Sequence, residues 1–263
     1  MLPEDPIEHA VTIRSVRRLN SLTAVLVLDA PLIAAAATPG QFVNVTCDQF
    51  LRRPIGIMAV QRREGLIELG IRAVGAGTRN LLQKKPGDPL SVLGPLGHGF
   101  QLDGLRRVIT VGGGSGVFPL FFVQQVCRER GIDALAVCGY RSKNESILRD
   151  EYAGLGCQTL FAADAGDLDV AGQAADALAQ LLRQLPPVPG TAILTCGPRP
   201  MMQAVAELAR RNQLPCQVSL EERMACGIGV CLVCACQVKA DGKTGYQRCC
   251  VDGPVFDAEV VAW

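Results

Sequence analysis

The sequence predicts a multi-domain chain of β plus α/β class: an antiparallel β-barrel over residues 1–103, a doubly wound parallel α/β nucleotide domain over 104–215, and a small cysteine module over 216–263. Three observations carry this reading. As far as about residue 100, short runs of β-branched and aliphatic residues are separated by Gly/Pro turns. From Arg107 onward, apolar runs alternate with amphipathic stretches. After Pro215, six of the twelve cysteines crowd into one stretch.

The bulk properties agree with more than one domain. A chain of 263 residues exceeds one average domain, and 49% hydrophobic residues suffice for solid cores. A formal net charge of +1 gives no electrostatic case for nucleic acid or for an anionic membrane surface. No apolar run approaches the ~20 residues of a membrane span. The first residues, MLPEDPIEHA, are acidic and carry no apolar h-region, so no signal peptide is expected. Cys47, Cys127, Cys138, Cys157, Cys196 and Cys216 stand singly in apolar segments, where a free cysteine behaves as a small hydrophobe. Reduced core thiols beside one metal-binding cluster place the protein in a reducing cytoplasm.

In the first domain the strand candidates are residues 9–16, 23–29, 42–46, 53–60, 66–74 and 89–93, with turns such as Thr38-Pro39-Gly40 and Lys85-Pro86-Gly87-Asp88 between them. Short strands at this spacing read as a barrel or sandwich. One helix is expected over 78–84. Arg52-Arg53-Pro54-Ile55-Gly56-Ile57 sets two arginines at the start of a strand, and Gly75-Ala76-Gly77-Thr78 is a turn that opens a helix, where N–H groups can receive a pyrophosphate. Each alone is an ordinary surface feature; their order suits a dinucleotide flavin.

The second domain opens with a buried strand at 108–111, then Gly112-Gly113-Gly114-Ser115-Gly116 and a helix over 117–130. Further strands are expected at 135–138, 158–161, 192–196 and 217–220, with helices over 174–185 and 199–211. Such alternation argues for a parallel sheet covered on both faces, with ligands at the carboxyl ends of its strands. Two loops fall there: the glycine run, and Cys196-Gly197-Pro198. The glycine spacing is not the G-x-G-x-x-G dehydrogenase pattern. Cys196 is either a residue facing the nicotinamide or a buried thiol ending a strand.

Cys226, Cys231 and Cys234 follow C-x4-C-x2-C, and a further cysteine returns after a hairpin-like insert, at Cys249 or Cys250. This is the plant-type ligand order for a [2Fe–2S] cluster. Zinc and disulfides are the rivals, but zinc sites usually present two C-x2-C knuckles. Adjacent side chains on extended backbone point to opposite sides, so one of Cys249 and Cys250 reaches the cluster. Cys236 reads as a packed bystander.

Arg53-Pro54-x-x-Ile57, Gly112-Gly113-Gly114-x-Gly116-x-x-Pro119-Leu120, Cys196-Gly197-Pro198-x-x-Met201 and Met224-Ala225-Cys226-Gly227-Ile228-Gly229-x-Cys231 occur in one order. Over essentially its whole length the chain resembles the electron-transfer subunits of class 1B dihydroorotate dehydrogenases, in the ferredoxin–NADP reductase superfamily; MACGIGVC followed by CVDGPVF is the most specific part. The resemblance implies FAD on the barrel, NAD on the second domain, one [2Fe–2S] cluster, and an FMN-containing catalytic partner that oxidises dihydroorotate to orotate in pyrimidine biosynthesis, two of each subunit forming a heterotetramer. It implies flavin contacts at Arg53, Pro54, Ile55, Gly56, Ile57, Ile71, Arg72 and Val74, with Gly77 and Thr78 on the pyrophosphate. It implies that Gly112, Gly113, Gly114, Gly116, Cys196, Gly197 and Pro198 line the nicotinamide nucleotide site, and its register selects Cys250 as the fourth ligand beside Cys226, Cys231 and Cys234. Three positions depart from the family pattern: Gly56 where Ser or Thr is usual near the flavin, His98 where Asn is usual, and Asp164-Ala165-Gly166 for Asp-Gly-Ser. Two other readings stand beside this one: a stand-alone NAD(P)H-dependent flavin/iron–sulfur reductase, and a zinc-stabilised binding module.

Overall fold

Residues 23–29 read Thr-Ala-Val-Leu-Val-Leu-Asp, a run of β-branched and aliphatic side chains that suits a pleated, buried surface. In the computed structural model, which describes residues 7–240 and 243–263, they form a largely buried strand of a closed barrel. Residues 1–6, which carry most of the stretch read as lacking a leader, lie outside the described residues. The barrel strands are β1 (Glu8–Asn20), β2 (Thr23–Asp29), β3 (Phe42–Val45), β4 (Arg53–Gln61), β5 (Leu66–Arg72) and β6 (Pro89–Leu96). They close in the order β1-β2-β5-β4-β3-β6, with every pairing antiparallel. Closure leaves no exposed strand edge. Leu26, Leu28, Val43, Ile57, Ile67 and Leu69 share the inward face and fill the interior.

Two helices punctuate the barrel: α1 (Pro31–Ala36) and α2 (Ala76–Gln83). The sequence reading foresaw the second but not the first. Six residues are too few to show a 3.6-residue period, and α1 holds its shape through its ends. Pro31 starts it, where a missing N–H costs nothing. Arg62, reaching over from the turn after β4, donates to the carbonyl oxygens of Ala34, Ala35 and Ala37, the acceptors that a helix end leaves orphaned.

The second sheet is built from β7 (Arg107–Gly113), β8 (Asp133–Tyr140), β9 (Gln158–Ala163), β10 (Val170–Ala171), β11 (Thr191–Cys196) and β12 (Cys216–Ser219), all parallel, in the order β10-β9-β8-β7-β11-β12. Between them run α3 (Val117–Arg130), α4 (Arg149–Leu155), α5 (Ala174–Gln184) and α6 (Arg199–Arg211). The chain first winds outward through β7, α3, β8, α4 and β9, then returns by α5 to β11 on the other side of β7. Right-handed crossovers in opposite directions bring their helices to opposite faces, which is the doubly wound arrangement expected from the sequence. Accordingly α3 packs with α4, and α5 with α6. A hairpin, β13 (Ala235–Ala240) and β14 (Lys243–Arg248), follows, with its turn at 241–242 outside the described residues. Then β15 (Val255–Asp257) adds antiparallel to β12 at the sheet edge.

Contacts gather the chain into two compact units. One takes in the chain as far as Gly99 together with Glu222–Cys236 and Tyr246–Pro254; the other comprises Phe100–Glu221, Gln237–Gly245 and Val255–Trp263. The cysteine-rich segment, set apart as 216–263 in the sequence reading, is thus shared out: all six of its clustered cysteines lie in the barrel unit, and β12 and β15 lie in the sheet unit. A segment this small buries too little surface to stand alone.

Replacing Arg62 by methionine keeps its apolar stem and deletes three donors to α1. The expected loss is about 1.5–3 kcal/mol of barrel stability, the usual worth of hydrogen bonds to a charged group, measured as the shift in a denaturant midpoint at unchanged m-value.

Candidate functional site

In the barrel unit the two arginines at the start of β4 have separate tasks. Arg52 is taken up by an ion pair with Glu8 at 2.6 Å, and the Ser91 hydroxyl donates to the same carboxylate. That hydrogen bond, with the arginine beside it, lowers the Glu8 pKa. Arg53 instead lies against α2. A Cβ on Gly77 would stand 2.2 Å from Arg53 Nε and 2.9 Å from Cys47 Sγ, so only glycine admits the guanidinium there. Thr78 Oγ1 accepts from the N–H groups of Val74 at 3.0 Å and Gly75 at 3.1 Å, which fixes the turn leading into α2. A cation beside the open N–H groups of an eight-residue helix fits a pyrophosphate.

Pro54, Gly56 and Arg72 are half-buried, and Val74 is 79% exposed, an apolar side chain left uncovered by the protein itself. Ile57 and Ile71 have their side chains in the barrel interior and Ile55 is 8% exposed, so these three offer a flavin backbone more than side chain. Gly56 sits opposite Phe42 in the β3–β4 ladder.

In the sheet unit the strand order reverses between β7 and β11, and the crevice at such a reversal is where open α/β sheets bind ligands. Gly112 and Gly113 end β7, a single 3₁₀ turn spans Gly114–Gly116, and α3 starts at Val117. Cys196 ends β11, directly opposite Gly112 in the ladder, and Gly197-Pro198 leads into α6. The sequence reading gave these glycines to a bound phosphate; the packing gives Gly116 a task within the chain. A Cβ there would fall 2.1 Å from the Cys196 carbonyl oxygen, so the two loops touch through it. Gly114 and Ser115 stay half-exposed and Pro198 exposed at the rim. Cys196 is 2% exposed, and burial, with the Glu221 charge adding to it, drives its thiol far above the ordinary range; it is a neutral group here. The Asp164-Ala165-Gly166 turn is held by N–H bonds from Asp164 to Tyr140 O and from Ala165 to Arg141 O. Next to it the Asp167 carboxylate accepts from Lys143 N at 2.9 and 3.0 Å.

The cysteine loop returns to the barrel unit. Four N–H groups point at its sulfurs: Ile228 and Cys231 to Cys226 Sγ at 3.5 and 3.4 Å, Cys226 to Cys231 Sγ at 3.5 Å, and Gly229 to Cys250 Sγ at 3.2 Å. Burial raises the Cys226 pKa, but the bonds from Ile228, Cys231 and their neighbours outweigh it and bring the group down to about 7. Donors aimed at sulfur in this way suit thiolates that carry charge onto a metal cluster. The adjacent cysteines part company: the Cys250 thiol is within hydrogen-bonding reach of Cys234, and the Cys249 thiol pairs with Cys236. Cys226 thus lies beside Cys231 and Cys250 beside Cys234, while Cys249 lies beside Cys236.

Two supports escaped the sequence reading. Arg248 and Asp252 bracket the Cys249-Cys250 pair. Arg248 Nε and Nη2 reach the Asp252 carboxylate at 3.0 and 3.2 Å, and Arg248 Nη1 donates to Gly229 O at 3.1 Å, so one side chain ties the fourth cysteine's turn to the first cysteines' loop. Opposite charges four residues apart around Cys-Cys were the available signal. His98, noted only as a departure, donates its N–H to Gly253 O at 2.6 Å and forms a bridge with Pro254, fastening the segment after the cysteines to the barrel.

The comparisons with known proteins bear on this geometry. The model of the iron-sulfur cluster binding domain of dihydroorotate dehydrogenase B matches residues 221–262. The dihydroorotate dehydrogenase B (NAD(+)) electron transfer subunit of Geobacillus thermodenitrificans is 38% identical over 259 residues, covering 95% of this chain and 97% of that one. That of Desulforamulus reducens is 37% identical over 241 residues, covering 89% and 90%. Among solved structures, an NADH-dependent reduced ferredoxin-NADP oxidoreductase superimposes with a TM-score of 0.85 at 30% identity, covering 96% of this chain and 89% of its own. With the barrel, the doubly wound sheet and the cysteine loop all accounted for end to end, the chain belongs to the family of dihydroorotate dehydrogenase B electron transfer subunits.

Proposed function

We propose that this chain carries electrons from the FMN of a dihydroorotate-oxidising partner subunit, by way of a [2Fe–2S] cluster and FAD, to NAD⁺. The observation that carries the reading is the set of N–H donors aimed at the sulfurs of Cys226, Cys231 and Cys250, with Cys250 within reach of Cys234, inside the same compact unit as Arg53 and the start of α2. Oxidation of dihydroorotate to orotate releases two electrons and two protons; NAD⁺ takes up two electrons and one proton, and one proton leaves to solvent. FAD, when bound, exchanges hydride with a nicotinamide and single electrons with an iron–sulfur cluster.

The residues of the chain have separate parts in this. Arg53 and the N–H groups of α2 bind the flavin pyrophosphate, and Val74 and Arg72 lie along its ring. The switch-point loops seat the nicotinamide nucleotide, with Cys196 a neutral wall rather than a nucleophile. The four cysteines hold the cluster. Around them Val230, at 75% exposed, and Leu232, at 62%, turn apolar side chains outward, and these give the partner subunit a surface to cover. No helix among the described residues is long and apolar enough to cross a membrane. We place the protein in the cytoplasm, in a heterotetramer with two partner subunits.

A second reading has one observation in its favour: the structural likeness to an NADH-dependent ferredoxin-NADP oxidoreductase. In that reading the same two cofactors serve another electron donor or acceptor. Copurification of the native complex with NAD⁺-dependent dihydroorotate oxidation supports the first; purification without a partner, and NADH-dependent reduction of a ferredoxin, supports the second.

Cys250→Ser is expected to lose the iron and the visible cluster absorbance while keeping FAD, and Cys249→Ser to retain about two irons per chain, the complement of a [2Fe–2S] cluster. Iron and zinc analysis beside the EPR spectrum of the dithionite-reduced protein checks both, and one zinc per chain in place of iron would refute the cluster. In stopped-flow experiments NADH is expected to reduce the flavin at least about tenfold faster than NADPH, about 1.4 kcal/mol of discrimination, because the related subunits are named for NAD(+); Arg141 and Lys143, just past β8, are the residues that could hold a 2′-phosphate. Equal rates would overturn this.

A further inference from the structure

We infer that Asn44 is a positioning residue for the iron–sulfur site: it holds the main chain at Cys226 against the barrel. The inference rests on the reading of Cys226 as a ligand. Asn44 lies within β3 between Val43 and Val45, paired with Pro54 of β4 on one side and Leu93 of β6 on the other. It is 1% exposed, and the other three residues of the strand are apolar and buried. An amide in such a place is unfavourable unless it is hydrogen-bonded.

Among the described residues the barrel supplies it with no side-chain partner. Its Nδ2 donates to the main-chain oxygen of Cys226 at 3.4 Å, and its Oδ1 has no partner among those residues. Leucine would fill the same volume without an orphaned oxygen, so the barrel's own stability gives no reason for an amide. The loop gives one. Gly227 has φ of +74°, and a Cβ there would stand 2.0 Å from Asn44 Nδ2, so the loop backbone comes down directly on this amide. With the Cys226 carbonyl held, the N–H groups of Ile228, Gly229 and Cys231 face the sulfurs of Cys226 and Cys250.

Asn44 also connects the two cofactor sites of the unit. Its backbone pairs with Pro54, next to Arg53, and its side chain grips the first cysteine. A donor on the Cys226 carbonyl polarises the peptide group beside the first ligand, and hydrogen bonding and burial around cluster sulfurs tune reduction potential.

The test is Asn44→Leu in the full chain loaded with FAD and cluster. The expected result is iron loss to a chelator roughly tenfold faster, as for other outer-shell substitutions, with altered EPR g-values and a cluster midpoint potential shifted negative. Flavin content should not change and thermal stability should be equal or higher, an outcome that a merely structural role would reverse. Asn44→Ser, which keeps a donor, should fall between wild type and the leucine variant in all three cluster readouts, and it carries the test alone if the leucine variant does not fold. Wild-type chelation rate, g-values and potential in either variant would overturn the inference. A wild-type protein without any iron-dependent EPR signal would overturn the ligand reading itself, and this inference with it.

Discussion

The cysteine loop cannot hold itself up, and the barrel unit is arranged to do it. Sulfurs that are to share charge with a metal must be gathered against their mutual repulsion, in a segment with little apolar surface to bury. The structure meets this by attachment. His98 clasps the main chain at Gly253, Arg248 joins the loop at Gly229 to the turn at Asp252, and Asn44 reaches the carbonyl of Cys226. Each attachment falls within a few residues of Cys226 or Cys250. Arg53 depends on the same barrel, since it starts the strand beside the one that carries Asn44.

The nucleotide unit solves a different problem, that of opening a crevice in a sheet without leaving a hole. Reversal of the winding direction between β7 and β11 separates the helices that would otherwise cover the strand ends. The loops from those two strands then close on each other through Gly116 and the Cys196 carbonyl, leaving a shallow, half-exposed rim at Gly114 and Ser115. Burial keeps the Cys196 thiol protonated. Its small apolar body packs under the rim and brings no charge to it.

Long elements were legible in the sequence from the length of their apolar runs and the glycine and proline that bound them, and the helix at Arg199–Arg211 also from its helical period. The helices at Val117–Arg130 and Arg199–Arg211 and the strand at Thr23–Asp29 coincide with their expected spans. The short elements were not. Pro31–Ala36 and Val170–Ala171 are too short for a period to repeat and exist through partners outside themselves, Arg62 for the first and β9 for the second. The glycine run shows a related ambiguity. A glycine required by a phosphate and a glycine required by a neighbouring loop look alike in sequence, since both only demand the absence of a side chain.

The sequence by itself determined the fold class, the family and the cysteine spacing C-x4-C-x2-C, because hydrophobic period and motif order are properties of the linear chain. It also held the Arg-Pro strand and the turn at Gly77 in the right order. Only the tertiary structure decided that Arg52 is spent on Glu8 while Arg53 turns to α2; for the cysteine pair, where the family register had pointed to Cys250, it sets Cys250 beside Cys234 and Cys249 beside Cys236. Both are choices between neighbouring residues of one kind. Arg53 opens an extended strand, where neighbours point to opposite sides, whereas Cys249 and Cys250 lie in a turn after β14 and not on the extended backbone the sequence suggested; in both places what the rest of the fold packs against each side chain fixes which one faces a site.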